Sequence, residues 1–229
     1  MDDTGTILLA GASRGLGLGL ARAYLEQGWQ VIATARDPAA RGLTELADAN
    51  PGRLRVEKLD ITSAEETRAL AQALAGHTLD VIFVVAGMHI EKETPIADVP
   101  PEAASLEFLT NAIGPVALGD RLAGLAAPGA TFVFMTSILG SIASNAGGTV
   151  DLYRASKAAL NMLGSCFALR HRENPVVLLH PGWVRTEMGG EAAPLDIETS
   201  VRGMVSVIAA RRGKAGLAYL DYLGNVLPW

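Results

Sequence analysis

The segment DLYRASKAALNML (residues 151–163) sets Tyr153 and Lys157 four residues apart, in a run of otherwise small or apolar residues. On a helix that spacing brings the phenol and the ammonium to one face, where an exposed pair contributes only about 0.2–0.5 kcal/mol. Beside a redox site the same pair has another use. Free tyrosine, with a pKa of about 10, is a poor base at neutral pH, and a nearby cation favours phenolate and lowers that value. Sixteen residues before Tyr153, Ser137 closes the apolar run FVFMTS. A hydroxyl, a phenol and an ammonium together suit hydride transfer, in which a proton must move with the hydride. Location and company, not the pair itself, decide between a surface pair and a reacting one.

The elements that would carry these residues follow from periodicity. TILLAG, WQVIATA, LRVEKLD, DVIFVVAG, ATFVFMTS and VVLLHPG read as strands, dense in aliphatic residues as when helices cover both sheet faces, and GLAYLDYL reads as a seventh. GLGLARAYLEQG, SAEETRALAQALAG, the alanine-rich residues 101–125 and residues 151–170 read as helices. The alternation predicts an α/β chain: a single-domain Rossmann fold over residues 1–229, with a doubly wound parallel sheet of about seven strands and helices on both faces. No linker, repeat or low-complexity tract divides it. In such a sheet the ligand crevice lies beyond the carboxyl ends of the strands.

Composition narrows the classes. With 229 residues, 49% hydrophobic and 19% charged, the chain can bury a sizeable core. A formal net charge of −5 argues against nucleic acid or an anionic membrane as partner. The acidic start MDDTGTILLAGAS is unlike a secretory signal, no run approaches the length of a membrane span, and a cytoplasmic location is expected. The single cysteine, Cys166, has no internal partner and is expected to be a buried, inert thiol. His77, His89, His171 and His180 lack metal-site spacing, so no metal is assigned.

Residues just past strands are the ones to read for binding. In LLAGASRGLGLGLA, Gly11, Gly15 and Gly17 follow a strand and open a helix, where bare backbone lets a pyrophosphate approach the N–H groups and the helix dipole. Glycine also serves tight turns and close packing, but its place at the first strand-to-helix junction favours a dinucleotide. The second strand ends in Ala35 and Arg36, where an acidic residue would accept from a ribose 2′-hydroxyl. Arg36 with Arg14 could instead clamp a 2′-phosphate; otherwise both are solvated, and Asp37 could serve a free ribose.

Taken in order, the glycine loop, LDIT after the third strand, VAG after the fourth, Asn111, Ser137, the Tyr153/Lys157 pair and HPGWVRTEM after the sixth strand resemble the short-chain dehydrogenase/reductases. VIATARDP, the long Ser137 to Tyr153 interval with its NAGG, and the terminal YLDYLGNVLPW are most similar to the small C-factor-like carbonyl reductases. The resemblance implies that Tyr153 is the catalytic acid/base, and that Lys157 lowers its pKa and bonds the nicotinamide ribose. Ser137 would orient the substrate carbonyl. Asn111 would hold a water linking Lys157 to solvent, although spacing alone reads it as a capping or packing amide. Asp60 and Ile61 would meet adenine, the other reading of Asp60 being a cap for the helix beginning near Ser63. Ser13, Leu16, Ala86, Gly87, Pro181, Gly182 and Val184 would line the cofactor, and Thr186 would bond its carboxamide. Met88, His89, Ile138, Leu139, Trp183 and Met188 are the expected substrate pocket.

The implied activity is an NADP(H)-dependent oxidoreductase, with NAD(H) as the alternate cofactor, acting on a small-molecule carbonyl or alcohol. It would be a homodimer or homotetramer paired through residues 101–125 and 151–170. Two alternatives stay open: a non-catalytic nucleotide-sensing or interaction protein on the same fold, and a reductase of an imine or activated double bond. One departure stands out. Val84, Val85, Ala86 and Gly87 occupy the place of the family's Asn-Asn-Ala-Gly, which leaves open how the neighbouring strands are tied.

Overall fold

Continuous aliphatic runs become buried strands here because each strand meets helices on both of its faces. The computed structural model describes residues 4–90 and 93–229. Its strands are β1 (Thr6–Ala10), β2 (Gln30–Ala35), β3 (Leu54–Lys58), β4 (Leu79–Val84), β5 (Ala126–Met135), β6 (Pro175–His180) and β7 (Gly216–Asp221). They form one seven-stranded parallel sheet in the order β3-β2-β1-β4-β5-β6-β7. The order reverses between β1 and β4, which opens a crevice at their carboxyl ends.

Alternation along the strands divides the core in two. Leu9, Val31, Phe83, Val133 and Val177 face α1 (Gly15–Glu26), α2 (Arg41–Ala49) and α7 (Ile197–Arg211). Leu8, Ile82, Phe132, Phe134 and Leu178 face α3 (Ala64–Ala73), α5 (Gly114–Leu122) and α6 (Asp151–Arg170). Phe167 of α6 packs edge-on to Phe132 and Phe134, with centroids 4.9 and 5.3 Å apart, and so fixes the helix against the sheet. Ser63 caps α3 by accepting from Glu66 N at 3.1 Å, and Asp196 caps α7 by accepting from Thr199 N at 2.7 Å. Helix α6 has no side-chain cap. It follows Val150, held at φ 55, where a β-branched residue carries backbone strain of order 1–3 kcal/mol.

Three expectations are corrected. Residues 101–125 are not one regular helix: α4 (Pro101–Phe108) runs into a π-helical turn (Leu109–Ile113), then α5 and a 3-10 turn (Ala123–Leu125). Helices α2 and α7 have no counterpart among the expected elements; α2 has only nine residues, and β-branched Thr199, Val201, Val205 and Val207 blur the pattern of α7. Cys166 is exposed, because the inward face of α6 is set by Leu160, Gly164 and Phe167 and its phase turns Cys166 out with Met162 and Leu169. Among the described residues no helix is long and apolar enough to cross a membrane.

Candidate active site

The crevice is a cavity of about 1080 Å³ across the carboxyl ends of the strands. Its floor begins at the glycine loop. Gly11 has φ +96, and a Cβ there would stand 2.8 Å from Ala86 Cα; a Cβ on Gly17 would stand 2.0 Å from Gly11 O. Only glycine fits either place. Gly11 N and Ala12 N both donate to Thr34 O, at 3.2 and 2.8 Å, which ties the loop to β2. No side chain caps α1, so its first-turn N–H groups lie bare along the cavity wall.

The valines after β4 leave the strands securely joined. Val84 stays in the ladder opposite Ala10 and Phe134, and Val85 N and Ala86 N both donate to Ala10 O, at 2.9 and 2.8 Å. Main chain does here what amide side chains do in the family pattern.

Ser137, Tyr153 and Lys157 are brought together by contacts outside the cavity. A 3-10 turn (Ile138–Gly140) crosses α6 so closely that a Cβ on Gly140 would meet the Lys157 carbonyl carbon at 2.8 Å. Asn161 accepts from Thr136 Oγ1 at 2.7 Å and donates to Gly140 O at 3.3 Å, locking the end of β5 to α6. Tyr219 OH donates to Ser137 O at 2.6 Å from β7. Within this frame Ser137 and Tyr153 both line the cavity, Ser137 holds the phenol's pKa down, and the His89 ring lies 4.5 Å from the Tyr153 ring.

The electrostatics differ from the expected lowering of the Tyr153 pKa. Burial pushes the phenol up to about 12, Ser137 opposes this, and the Glu107 carboxylate adds to it. The Lys157 ammonium faces the Tyr153 ring. Its Nζ lies 5.7 Å from the ring centroid and donates to Met135 O at 3.0 Å, and burial brings its own pKa down to about 8. In the chain by itself, Tyr153 is therefore a held proton donor.

The other expected residues divide clearly. Ser13, Arg14, Gly15, Leu16, Arg36, Asp60, Ile61, Gly87, Pro181, Gly182, Val184 and Thr186 line the cavity, as do Met88, His89, Ile138, Leu139, Trp183 and Met188. Asn111 does not. It is fully buried in the π turn, accepts from Met88 N at 2.8 Å, and donates to Met88 O at 2.8 Å and Ser156 Oγ at 3.0 Å. Asp60 is no helix cap, since Ser63 fills that place; its Oδ1 accepts from Thr62, which holds the carboxyl below its usual range with Arg36 and Lys58 helping. Asp37 Oδ1 accepts from Ala39 N at 3.0 Å in a local turn. Arg14 pairs with Glu187 across the mouth, a contact with no sequence signal. His180, Glu93 and Val150 also line the cavity, and His180, at the end of β6, was findable from its strand-end position.

Known proteins bear on this geometry. The family described as enoyl-(acyl carrier protein) reductase matches residues 11–212. An NADP-bound short-chain dehydrogenase/reductase from Burkholderia multivorans is 45% identical and superposes with a TM-score of 0.95, covering 98% of this chain and 99% of that one. The chain belongs to the short-chain dehydrogenase/reductases. As a short-chain dehydrogenase/reductase it is an oxidoreductase enzyme. A carbonyl reductase from Pseudomonas aeruginosa in complex with NADP is 38% identical, with a TM-score of 0.92 over 99% of this chain and 100% of that one. The C-signal protein of Myxococcus xanthus is 36% identical over 166 residues, which are 71% of this chain and 99% of that protein.

Proposed function

We propose that this short-chain dehydrogenase/reductase is an NADP(H)-dependent enzyme that interconverts a carbonyl compound and an alcohol, with Tyr153 as acid/base. Residues 1–229 act as one dinucleotide-binding and catalytic domain. The observation that carries the reading is that Ser137, Tyr153 and Lys157 line the same cavity as the bare glycine loop.

The residues present fit the dinucleotide. The uncapped first turn of α1 offers N–H groups to a pyrophosphate, and a Cβ on Gly15 would point into space whose nearest atom is Thr186 Cγ2 at 3.7 Å. Arg14 and Arg36 would hold the 2′-phosphate; Asp37, engaged in its own turn, is a poor ribose acceptor. Asp60 and Ile61 would meet adenine, and Pro181, Gly182, Val184 and Thr186 the nicotinamide end. The two NADP-bound neighbours support this choice over NAD(H). When bound, the cofactor supplies or accepts the hydride.

The chain's own residues handle the proton. Ser137 Oγ orients the carbonyl oxygen, and Tyr153 Oη gives that oxygen a proton in reduction and takes it back in oxidation. A phenol held up to about 12 is protonated throughout the neutral range, the form that gives its proton to a carbonyl oxygen. Exposed Leu109, Ile113, Met162 and Leu169 support pairing of α4, α5 and α6 with a second copy, as a homodimer or homotetramer.

The test is NADPH oxidation against a panel of ketones, aldehydes, imines and enoyl thioesters, with Tyr153→Phe as control. Turnover of carbonyls that vanishes in the variant is the expected result. Wild-type rates in Tyr153→Phe on a verified substrate overturn the mechanism.

A further inference from the structure

Helix α4 turns one fully buried residue inward, and that residue is a carboxylate. Glu107 is 0% exposed, while Leu106 before it and Leu109 just after the helix are 43% and 39% exposed. A helix that merely covered the sheet would do the reverse, because apolar side chains gain from burial and a carboxylate loses hydration. Glu107 Oε2 accepts from Ile90 N at 3.1 Å, and among the described residues no donor reaches Oε1.

A buried cation faces the same segment from α6. A Cβ on Gly87 would lie 3.4 Å from Lys157 Nζ and 3.3 Å from Asn111 Oδ1, so the ammonium sits against residue 87 beside the amide that grips Met88. Lys157 is 3% exposed, and its Nζ donates to the neutral carbonyl of Met135. A buried carboxylate with an idle oxygen and a buried ammonium on a neutral acceptor thus flank residues 87–90.

We propose that Glu107 is a positioning residue for the reaction: its carboxylate is the buried counter-charge that keeps Lys157 in its ammonium form. The inference rests on the roles of Tyr153 and Lys157 given above. The electrostatics run the same way. Burial lowers the Lys157 pKa and Glu107 opposes that, while burial raises the Glu107 pKa and both Ile90 N–H and Lys157 oppose it. Among the described residues, the other titratable groups lining this part of the cavity are Tyr153 on α6, His89 and Glu93 between β4 and α4, and His180 at the end of β6. Burial holds His180 down to about 4, so it is neutral where the enzyme would work.

The chain has four lysines, Lys58, Lys92, Lys157 and Lys214, so NMR of protein labelled at the lysine ε-carbon titrates Lys157 directly, assigned with Lys157→Met. Glu107→Gln keeps an acceptor for Ile90 N and removes the charge; Glu107→Asp keeps the charge. In Glu107→Gln the Lys157 titration should fall by about one pH unit or more, a tenfold change in the ammonium-to-amine ratio. The alkaline limb of kcat/KM for carbonyl reduction should move with it, with rates at lower pH held, and Glu107→Asp should restore both. An unmoved Lys157 titration in folded Glu107→Gln, or a rate loss of equal size at every pH, overturns the proposal and leaves Glu107 a latch for Ile90. If Glu107→Gln does not fold, Lys157→Met decides: the Glu107 carboxyl should titrate at higher pH than in wild type, and an unchanged titration overturns the pairing. NMR needs no turnover. A shifted Lys157 titration beside an active Tyr153→Phe therefore removes the acid/base assignment alone.

Discussion

Gly17→Ala sets two effects of opposite sign against each other. Inside an exposed helix, alanine in place of glycine gains about 1 kcal/mol. At this position the added Cβ would stand 2.0 Å from Gly11 O and 2.9 Å from Ala12 Cα, both backbone atoms that cannot rotate aside. Ordinary contact begins near 3.4 Å, so the loop must withdraw by the difference, about 1.4 Å. Overpacking costs about 1–3 kcal/mol, and a backbone clash belongs at the upper end. After the helix gain, a net loss of about 2 kcal/mol remains, which for a chain of this size lowers Tm by about 4–8 °C. Thermal unfolding followed by tryptophan fluorescence measures it. Because Trp183 lines the cavity, the same signal reads NADPH titrations, which should weaken as the loop shifts. A raised Tm, or an unchanged Tm with unchanged NADPH affinity, refutes the packing argument for the glycine loop.

Arg36→Asp should weaken NADPH binding by about 10- to 100-fold while sparing or improving NADH, since one charge-assisted contact is worth about 1.5–3 kcal/mol; equal wild-type affinities for both cofactors in fluorescence titration refute the clamp. In carbonyl reduction, Tyr153 stays protonated up to about 12, so the first loss of kcat/KM with rising pH should come near 8, as Lys157 sheds its proton. A profile flat through pH 10 contradicts that assignment. Tyr153→Phe should lower turnover by about 10²-fold or more with NADPH binding kept, whereas Lys157→Met should weaken both, as separate rate and titration measurements will tell. Light scattering at micromolar concentration should find a dimer or tetramer, and monomer alone rejects pairing through α4, α5 and α6.

The inner strands were legible because their buried parts are dense in aliphatic and aromatic residues, whereas edge strand β3 alternates Leu54 and Val56 with Arg55 and Glu57, and the glycine loop was legible because close backbone approach leaves a signature in residue type. Ser137, Tyr153 and Lys157 could be chosen because two of the three announce themselves by spacing and the third by ending a strand. Glu107 could not. A charge in an alanine-rich helix reads as part of the solvated face, and with Leu106, Phe108 and Leu109 around it, periodicity does not fix which side turns inward. The Arg14–Glu187 pair and the Tyr219–Ser137 bond join residues far apart in the chain, and single-sequence pattern carries no term for such partners. The state of Tyr153 was hidden for a related reason: spacing brings Lys157 near but says nothing of the burial that dominates the phenol.

The junction of β1 and β4, made by the peptide groups of Val85, Ala86 and Ala10, has a consequence for sequence drift. Any residue except proline supplies the same N–H at position 85 or 86, so mutation can erase the amide signature there without loosening the sheet. Selection then acts on bulk instead of hydrogen-bonding capacity. A Cβ on Gly11 would stand 2.8 Å from the main-chain N and Cα of Ala86, so no change of side chain at 86 makes room for one, and position 11 is expected to stay glycine. A lineage that adopts this main-chain junction gains freedom in residue type at 84 and 85 and gives up freedom in size at 11.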